Sequence, residues 1–310
     1  MTATRPAALV TGASSGIGEA AALALAAAGF QVTGASRNTS RVTPRDGVTF
    51  LDLDVTGDEP ASTAVQQVIG RSGRIDVLAS NAGAGTAGAA GESSVAQAQG
   101  VFDVNVFGLI RMTRAVLPHM RARERGRIIN ISSVLGFIPA PYMTVYAASK
   151  HAVEGYSESL DHEVREHGVR VLLVQPAVTS TPFDTNMVQA DTPLPACAQQ
   201  RRIFGDVMAA ATKDGDDPAI VARVIVAAAT GPEAETALHR RPRRRARPHA
   251  APRRSRAGLR QADPQAQPAG RRPAARTGRR RRRCRCRCRI FAPALSGRFP
   301  SFLSAASWER

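Results

Sequence analysis

The chain has 310 residues, with 42 Lys+Arg, 25 Asp+Glu and a formal net charge of +17. That charge is confined. Residues 1–236 hold 19 basic and 23 acidic side chains, a net of −4, whereas residues 237–310 hold 23 arginines, no lysine and two acids, a net of +21. The basic excess therefore carries no sign of nucleic-acid binding for the first 236 residues, and their single cysteine, Cys197, excludes a disulfide-stapled fold there.

Thr2–Pro6 leads into a strand-like run rather than a signal-peptide h-region, and the longest apolar run, Ala20–Gly29, is too short to span a bilayer. A cytoplasmic protein with no membrane segment is expected. Ala7–Val10 reads as a buried strand and Thr11–Gly18 as a Gly-rich turn. Glu19–Gly29 reads as a helix closed by glycine, and Gln31–Ser36 as a second strand. Val48–Leu53 is a third strand ending in Asp54-Val55, and Glu59–Ile69 a helix. Ile75–Ala79 is a fourth strand, apolar enough for the centre of a parallel sheet, and runs into Ser80-Asn81-Ala82-Gly83. A helical pattern from about Ser94 to Arg123 carries Asn105. Arg127–Ser132 is a fifth strand with Ser133 just past its end. A long helix over Tyr146–His167 precedes a sixth strand, Val169–Gln175, and the turn Pro176–Thr181. Residues 183–217 read as irregular, and Pro218–Ala229 as a last helix. Strands alternating with helices predict an α/β fold: one doubly wound parallel sheet with helices on both faces. Ligands bind such sheets at the carboxyl ends of the strands, where Gly12–Gly18, Arg37, Asp54, Asn81, Ser133 and Thr181 all fall.

A Gly-rich turn between strand and helix lets backbone amides approach a pyrophosphate at a positive helix end. At the end of the second strand an acid would suit the ribose 2′-hydroxyl of NAD. Ser36-Arg37 stands there instead, and a guanidinium suits a 2′-phosphate. NADP(H) is therefore favoured over NAD(H); a solvent-facing loop arginine is the alternative. Tyr146 and Lys150, four residues apart, share one helical face, and an ammonium beside a phenol is expected to lower its pKa. Such a tyrosine can exchange a proton with a carbonyl or alcohol oxygen. An amphipathic helix with a surface lysine is the plain alternative. His119, His151, His162 and His167 read as solvated helix positions, and Arg121–Arg127 as a solvated connection.

From roughly residue 231 onward the chain is Arg, Pro and Ala with almost no apolar periodicity, and disorder is expected over 237–310. Three readings stay open. The stretch is a polybasic arm for nucleic acid or an anionic surface; or Cys284, Cys286 and Cys288 begin a metal site, against the flanking arginines; or a frameshift in a GC-rich gene has replaced the true end. For the last, a one-base shift of one permissible back-translation of Arg260–Ala266 yields an ordinary helix-like peptide.

Thr11-Gly12-x-x-x-Gly16-x-Gly18, Asn81-Ala82-Gly83, Asn105, Ser133, Tyr146-x-x-x-Lys150 and the Pro176 turn occur in the order and spacing of the short-chain dehydrogenase/reductase family. The resemblance covers about residues 5–230, and Gly126–Phe183 looks most like 17β-hydroxysteroid-dehydrogenase-related members. It implies a Rossmann-type domain over 1–236 that transfers hydride between NADP(H) and a carbonyl or secondary alcohol. In that family Tyr146 would be the acid/base, Lys150 would lower its pKa and hold the nicotinamide ribose, and Ser133 would bind the substrate oxygen. Asn105 would hold a relay water; its plain alternative is a polar residue bonding backbone inside a helix, and the two are compatible. Gly12, Ser14, Ser15, Gly16, Ile17 and Gly18 would cradle the pyrophosphate, while Asp54 and Val55 would meet adenine. Asn81, Ala82 and Gly83 would line the adenosine side, and Pro176, Thr179 and Thr181 the nicotinamide. Ala177 departs from the family's usual Pro-Gly. Residues 183–217 would fold over the substrate as a lid, with Phe183, Met187 and Phe204 lining an apolar pocket. A homo-oligomer is expected given an intact closing segment, and no metal. The competing class is a dinucleotide- or nucleic-acid-binding protein without catalysis.

Overall fold

In a computed structural model of the chain, residues 5–231 and the backbone of Ile290 and Phe291 are described. The proposed boundary at 236, the expected disorder and Cys284, Cys286 and Cys288 lie outside these residues. The elements are β1 (Ala7–Thr11), α1 (Gly16–Ala27), β2 (Gln31–Ser36), β3 (Val48–Asp52), α2 (Asp58–Ser72), β4 (Val77–Ser80), β5 (Thr86–Ala87) and α3 (Val95–Phe102). They continue with α4 (Leu109–Ala122), β6 (Gly126–Ile131), α5 (Thr144–Val164), β7 (Val169–Gln175), β8 (Val188–Gln189), α6 (Ala198–Lys213), α7 (Pro218–Thr230) and β9 (Ile290–Phe291). The main sheet is parallel throughout, in the order β3-β2-β1-β4-β6-β7-β9. The order reverses between β1 and β4, and this is the switch point where a cleft opens at the carboxyl ends.

Alternation along each strand divides the core. Ala8 and Val10 of β1 pack with Ala21 and Leu25 of α1 and with Val221 and Ile225 of α7. Leu9, between them in sequence, faces the other layer: Val65 of α2, Met112 and Val116 of α4, and Leu160 and Val164 of α5. Each fully buried aliphatic side chain of this kind contributes about 1.5–3 kcal/mol. The layers hold the strand ends rigidly, which fixes the residues just beyond them.

Four expectations need correction. First, α1 begins at Gly16 rather than Glu19, so Gly16 to Gly18 form its first turn. Second, the helix expected from Ser94 to Arg123 is not continuous: residues Asp103–Gly108 form a π-helical turn. Gly108 at its end packs closely on Val55: an added Cβ would lie 2.7 Å from Val55 Cγ2. Third, residues 183–217 are not irregular throughout. Pro193 and Pro195 precede α6 instead of breaking it, with Pro195 opening a 3₁₀ turn at the start of a run rich in Ala, Gln and Arg. Fourth, a closing strand is present where none was expected. Ile290 and Phe291 pair in parallel with Val174 and Gln175 of β7, a β-branched and an aromatic residue after the arginine run.

Candidate active site

The Gly-rich turn is shaped by what its glycines leave out. Gly12 and Gly16 have φ of +66° and +58°, a region that side chains disfavour. A Cβ on Gly12 would lie 2.9 Å from Ala82 Cα, so β1 and β4 approach closely here. Asn81 locks the two strand ends together. Its Nδ2 donates to the carbonyls of Thr11 and Gly12, both at 3.1 Å, and the amides of Asn81 and Ala82 donate to Thr11 Oγ1 at 3.0 Å. Ser15, the N-cap of α1, spends no side-chain bond on capping the helix. A bare backbone surface thus faces the positive end of α1, a setting suited to phosphate. Arg37 lies past β2. Nearby, the backbone N–H of Thr56 foremost, with Arg37 and Arg111 adding charge, holds the Asp54 carboxyl below its ordinary range.

Tyr146, Ser133 and Lys150 converge at the carboxyl end of β6. Tyr146 is buried and packs against Phe183, with ring centroids 5.6 Å apart. Ser133 Oγ accepts from Leu135 N at 3.1 Å, which leaves its own proton for the Tyr146 oxygen. Lys150 Nζ donates to the Ile131 carbonyl at 2.9 Å and sits 5.7 Å from the centre of the Tyr146 ring. The expected lowering of the phenol pKa does not occur. Burial pushes Tyr146 up to about 12, offset in part by the Ser133 hydrogen bond. Burial also pushes Lys150 down to about 8, and the Glu154 carboxylate one turn on opposes that fall. Desolvation of the buried phenol is the largest influence on it and outweighs the stabilisation that Ser133 gives a phenolate.

Asn105 stands on the π-helical turn, buried, with its amide fully engaged by protein. Oδ1 accepts from Ala84 N at 2.8 Å, and Nδ2 donates to Ala84 O and Ser149 Oγ, both at 2.9 Å. Ser149 Oγ in turn donates to Tyr146 O at 2.7 Å. The side chain therefore fixes the β4 loop to α5, the plain reading of a polar residue bonded to backbone, and its amide N–H groups are not available to a water.

A cavity of about 1060 Å³ joins these parts. It is lined by Gly12, Ser14, Ser15, Gly16, Ile17, Arg37, Asp54, Val55, Asn81, Ala82, Gly83, Ser133, Tyr146, Lys150, Pro176, Thr179 and Thr181. Two residues of the expected set stand behind it. Asn105 is one. Gly18 is the other: a Cβ there would fall 2.1 Å from Gly12 O, so this glycine seats α1 against the turn rather than meeting a ligand. Among the residues expected to form a lid, Phe183 lines the cavity, whereas Met187 and Phe204 back the apolar cluster around Tyr146 and Met143. The sequence reading missed Asn38, Leu135, Met143 and Met208 on the wall. Asn38, next to Arg37, was the one within reach of a local signal; the others are placed by tertiary packing.

Residues 6–192 match the family described as short chain dehydrogenase. The chain is 44% identical over 178 residues to a 3-ketodihydrosphingosine reductase of Bacteroides thetaiotaomicron, a match covering 57% of this chain and 65% of that relative, just under two thirds of its length. A short-chain dehydrogenase from Streptomyces avermitilis superposes with a TM-score of 0.67 at 35% identity, covering 75% of this chain and 86% of that one. A short-chain dehydrogenase/reductase from Burkholderia phymatum, solved with NAD, gives a TM-score of 0.65 at 27% identity and covers 74% and 87%.

Proposed function

The chain belongs to the short-chain dehydrogenase family, and from that premise we propose that it is an NADP(H)-dependent oxidoreductase acting on a carbonyl compound or secondary alcohol. The observation that carries this reading is the convergence of Ser133, Tyr146 and Lys150 on one cavity with the glycine cradle of Gly12 and Gly16. A dinucleotide fits the donor set: bare backbone and a helix start would hold the pyrophosphate, Arg37 a 2′-phosphate, Asp54 and Val55 the adenine, and Thr179 and Thr181 the nicotinamide. The cofactor would supply or accept the hydride.

The protein's own residues handle the proton. Ser133, polarised by its bond from Leu135 N, donates to the substrate oxygen and holds it beside Tyr146. Tyr146 gives its proton to that oxygen in reduction and takes it in oxidation. The phenol is protonated at neutral pH, the form that reduction needs, and burial moves its pKa further above that range. Lys150 is tied to Ile131 O next to Ser132 and would hold the nicotinamide ribose. Leu135, Met143, Phe183 and Met208 present an apolar wall on the substrate side, so the carbonyl carries an apolar flank. The NAD in the Burkholderia phymatum structure belongs to that protein. Here the absence of an acid at position 37 and the presence of arginine favour the phosphorylated cofactor.

The test is fluorescence titration of the full chain with NADPH and with NADH, repeated on Arg37→Ala. The expected result is tighter NADPH binding that falls roughly tenfold, to the NADH value, in the variant, as loss of a charge-assisted contact predicts. Equal affinity for the two cofactors in the wild type would overturn the NADP(H) assignment, and binding of neither would overturn the enzyme reading.

A further inference from the structure

The helix α6 closes the apolar side of the cavity, yet among its sixteen residues none is buried. By contrast α7, three residues shorter, buries Val221, Ala222, Ile225, Ala228 and Ala229. Apolar burial along α6 is therefore slight, with Phe204 only partly buried against the cluster around Tyr146, and its placement leans on a few specific ties. One is the hydrogen bond from Thr212 near its end to Asp184; another is built on Glu92, whose side chain is fully buried in the loop after β5. Its carboxylate accepts from Ala89 N and Leu194 N, each at 2.8 Å, and forms an ion pair with Arg201 in the first turn of α6. The Glu92 carbonyl accepts from Thr192 N at 2.9 Å and Thr192 Oγ1 at 2.7 Å. A reciprocal tie runs the other way: Asp191 accepts from Ser94 N at 2.8 Å and Ser94 Oγ at 2.5 Å. The tied loop also reaches the chemistry, because Gly88 N donates to Tyr142 O at 2.9 Å, four residues before Tyr146. Tyr142 itself stacks on Phe204 of α6 with centroids 5.6 Å apart.

We infer that Glu92 and Arg201 are positioning residues for the substrate: they seat α6, and with it Phe204 and Met208, over Tyr146, and so set substrate affinity without touching the cofactor half of the cavity. A buried carboxylate that loses its cation is left holding two amide donors and an uncompensated charge, so the seat fails as a unit. The inference rests on reading residues 183–217 as the substrate lid.

Two measurements on the full chain test it, with Arg201→Met and the conservative Arg201→Lys. Hydrogen exchange followed by mass spectrometry should show faster exchange over 188–213 in Arg201→Met, unchanged exchange over 126–131 and 169–175, and largely restored protection in Arg201→Lys. With NADPH and 2-octanone as the probe, KM should rise about tenfold in Arg201→Met while kcat stays within about threefold and NADPH affinity within about twofold. Unchanged lid exchange, or exchange rising equally in the sheet, would overturn the inference, as would a loss of cofactor affinity matching the rise in KM. An unchanged KM would overturn the effect on substrate affinity, and the exchange arm decides whether the pair seats α6 even if the wild type does not reduce 2-octanone, a failure that would count against the probe ketone or the proposed reaction.

Discussion

Tyr146 and Lys150 are buried together, and desolvation acts on them in opposite directions. The phenol is held neutral by a pKa raised to about 12, and the ammonium is weakened to about 8. The expectation of a phenol tuned toward neutral pH treated Lys150 as a free charge beside a hydroxyl. It left out burial, which spacing along a helix does not reveal. A measurable consequence follows for Lys150. Its folded pKa lies below its ordinary 10.5, so between about 8 and 10.5 the unfolded chain binds the extra proton and stability rises with pH. Below about 8 the buried ammonium is a standing cost. Lys150→Met lacks it, so the variant should be the more stable at pH 7.5, by up to about 3 kcal/mol, with the gap closing as pH approaches 10.5. Urea unfolding at stepped pH checks this; a gap that does not change with pH would mean that Lys150 is not held in a site that resists charge.

The strands were the most legible elements. Gln31–Ser36 and Val169–Gln175 are apolar runs bounded by turns, and the structure keeps both bounds. The π-helical turn at Asp103–Gly108 was not legible, because the partners that hold it are remote: Ala84 for Asn105 and Val55 for Gly108. The same holds for the ties between Glu92 and Arg201, 109 residues apart. The glycines show how far a motif carries. Their spacing located the turn, but only the geometry separates Gly12 and Gly16, which open the cradle, from Gly18, which seats α1. Gly18→Ala should destabilise the protein by more than about 3 kcal/mol and abolish cofactor binding, since the new methyl meets rigid backbone at Gly12. Gly155→Ala, on α5 with open space around it, should instead stabilise by about 0.5–1 kcal/mol. Thermal unfolding of the two variants decides between a glycine required by packing and one that is not; equal shifts would contradict the contact assigned to Gly18.

At the scale of the whole molecule, the parallel sheet brings residues from position 12 to position 181 to one edge, and no helix among the described residues is long and apolar enough to cross a membrane. The net charge of +17 misdescribes this body, because it comes from residues 237–310, whereas the cavity-bearing part is mildly acidic. The closing strand at Ile290–Phe291 could not be foreseen, since it follows the arginine run instead of α7. The central claim is that this cavity transfers hydride with Tyr146 as the proton donor, not that it only binds a dinucleotide. The measurement that tests it most directly is NADPH oxidation against a panel of apolar ketones by the wild type and Tyr146→Phe, each first shown to bind NADPH. The account predicts turnover by the wild type, with NADPH affinity in the variant within about twofold and kcat lower by at least about 10²–10⁴, the usual contribution of a positioned general acid. Equal turnover by the two proteins would contradict it, and so would a wild type that binds NADPH and reduces none of the ketones.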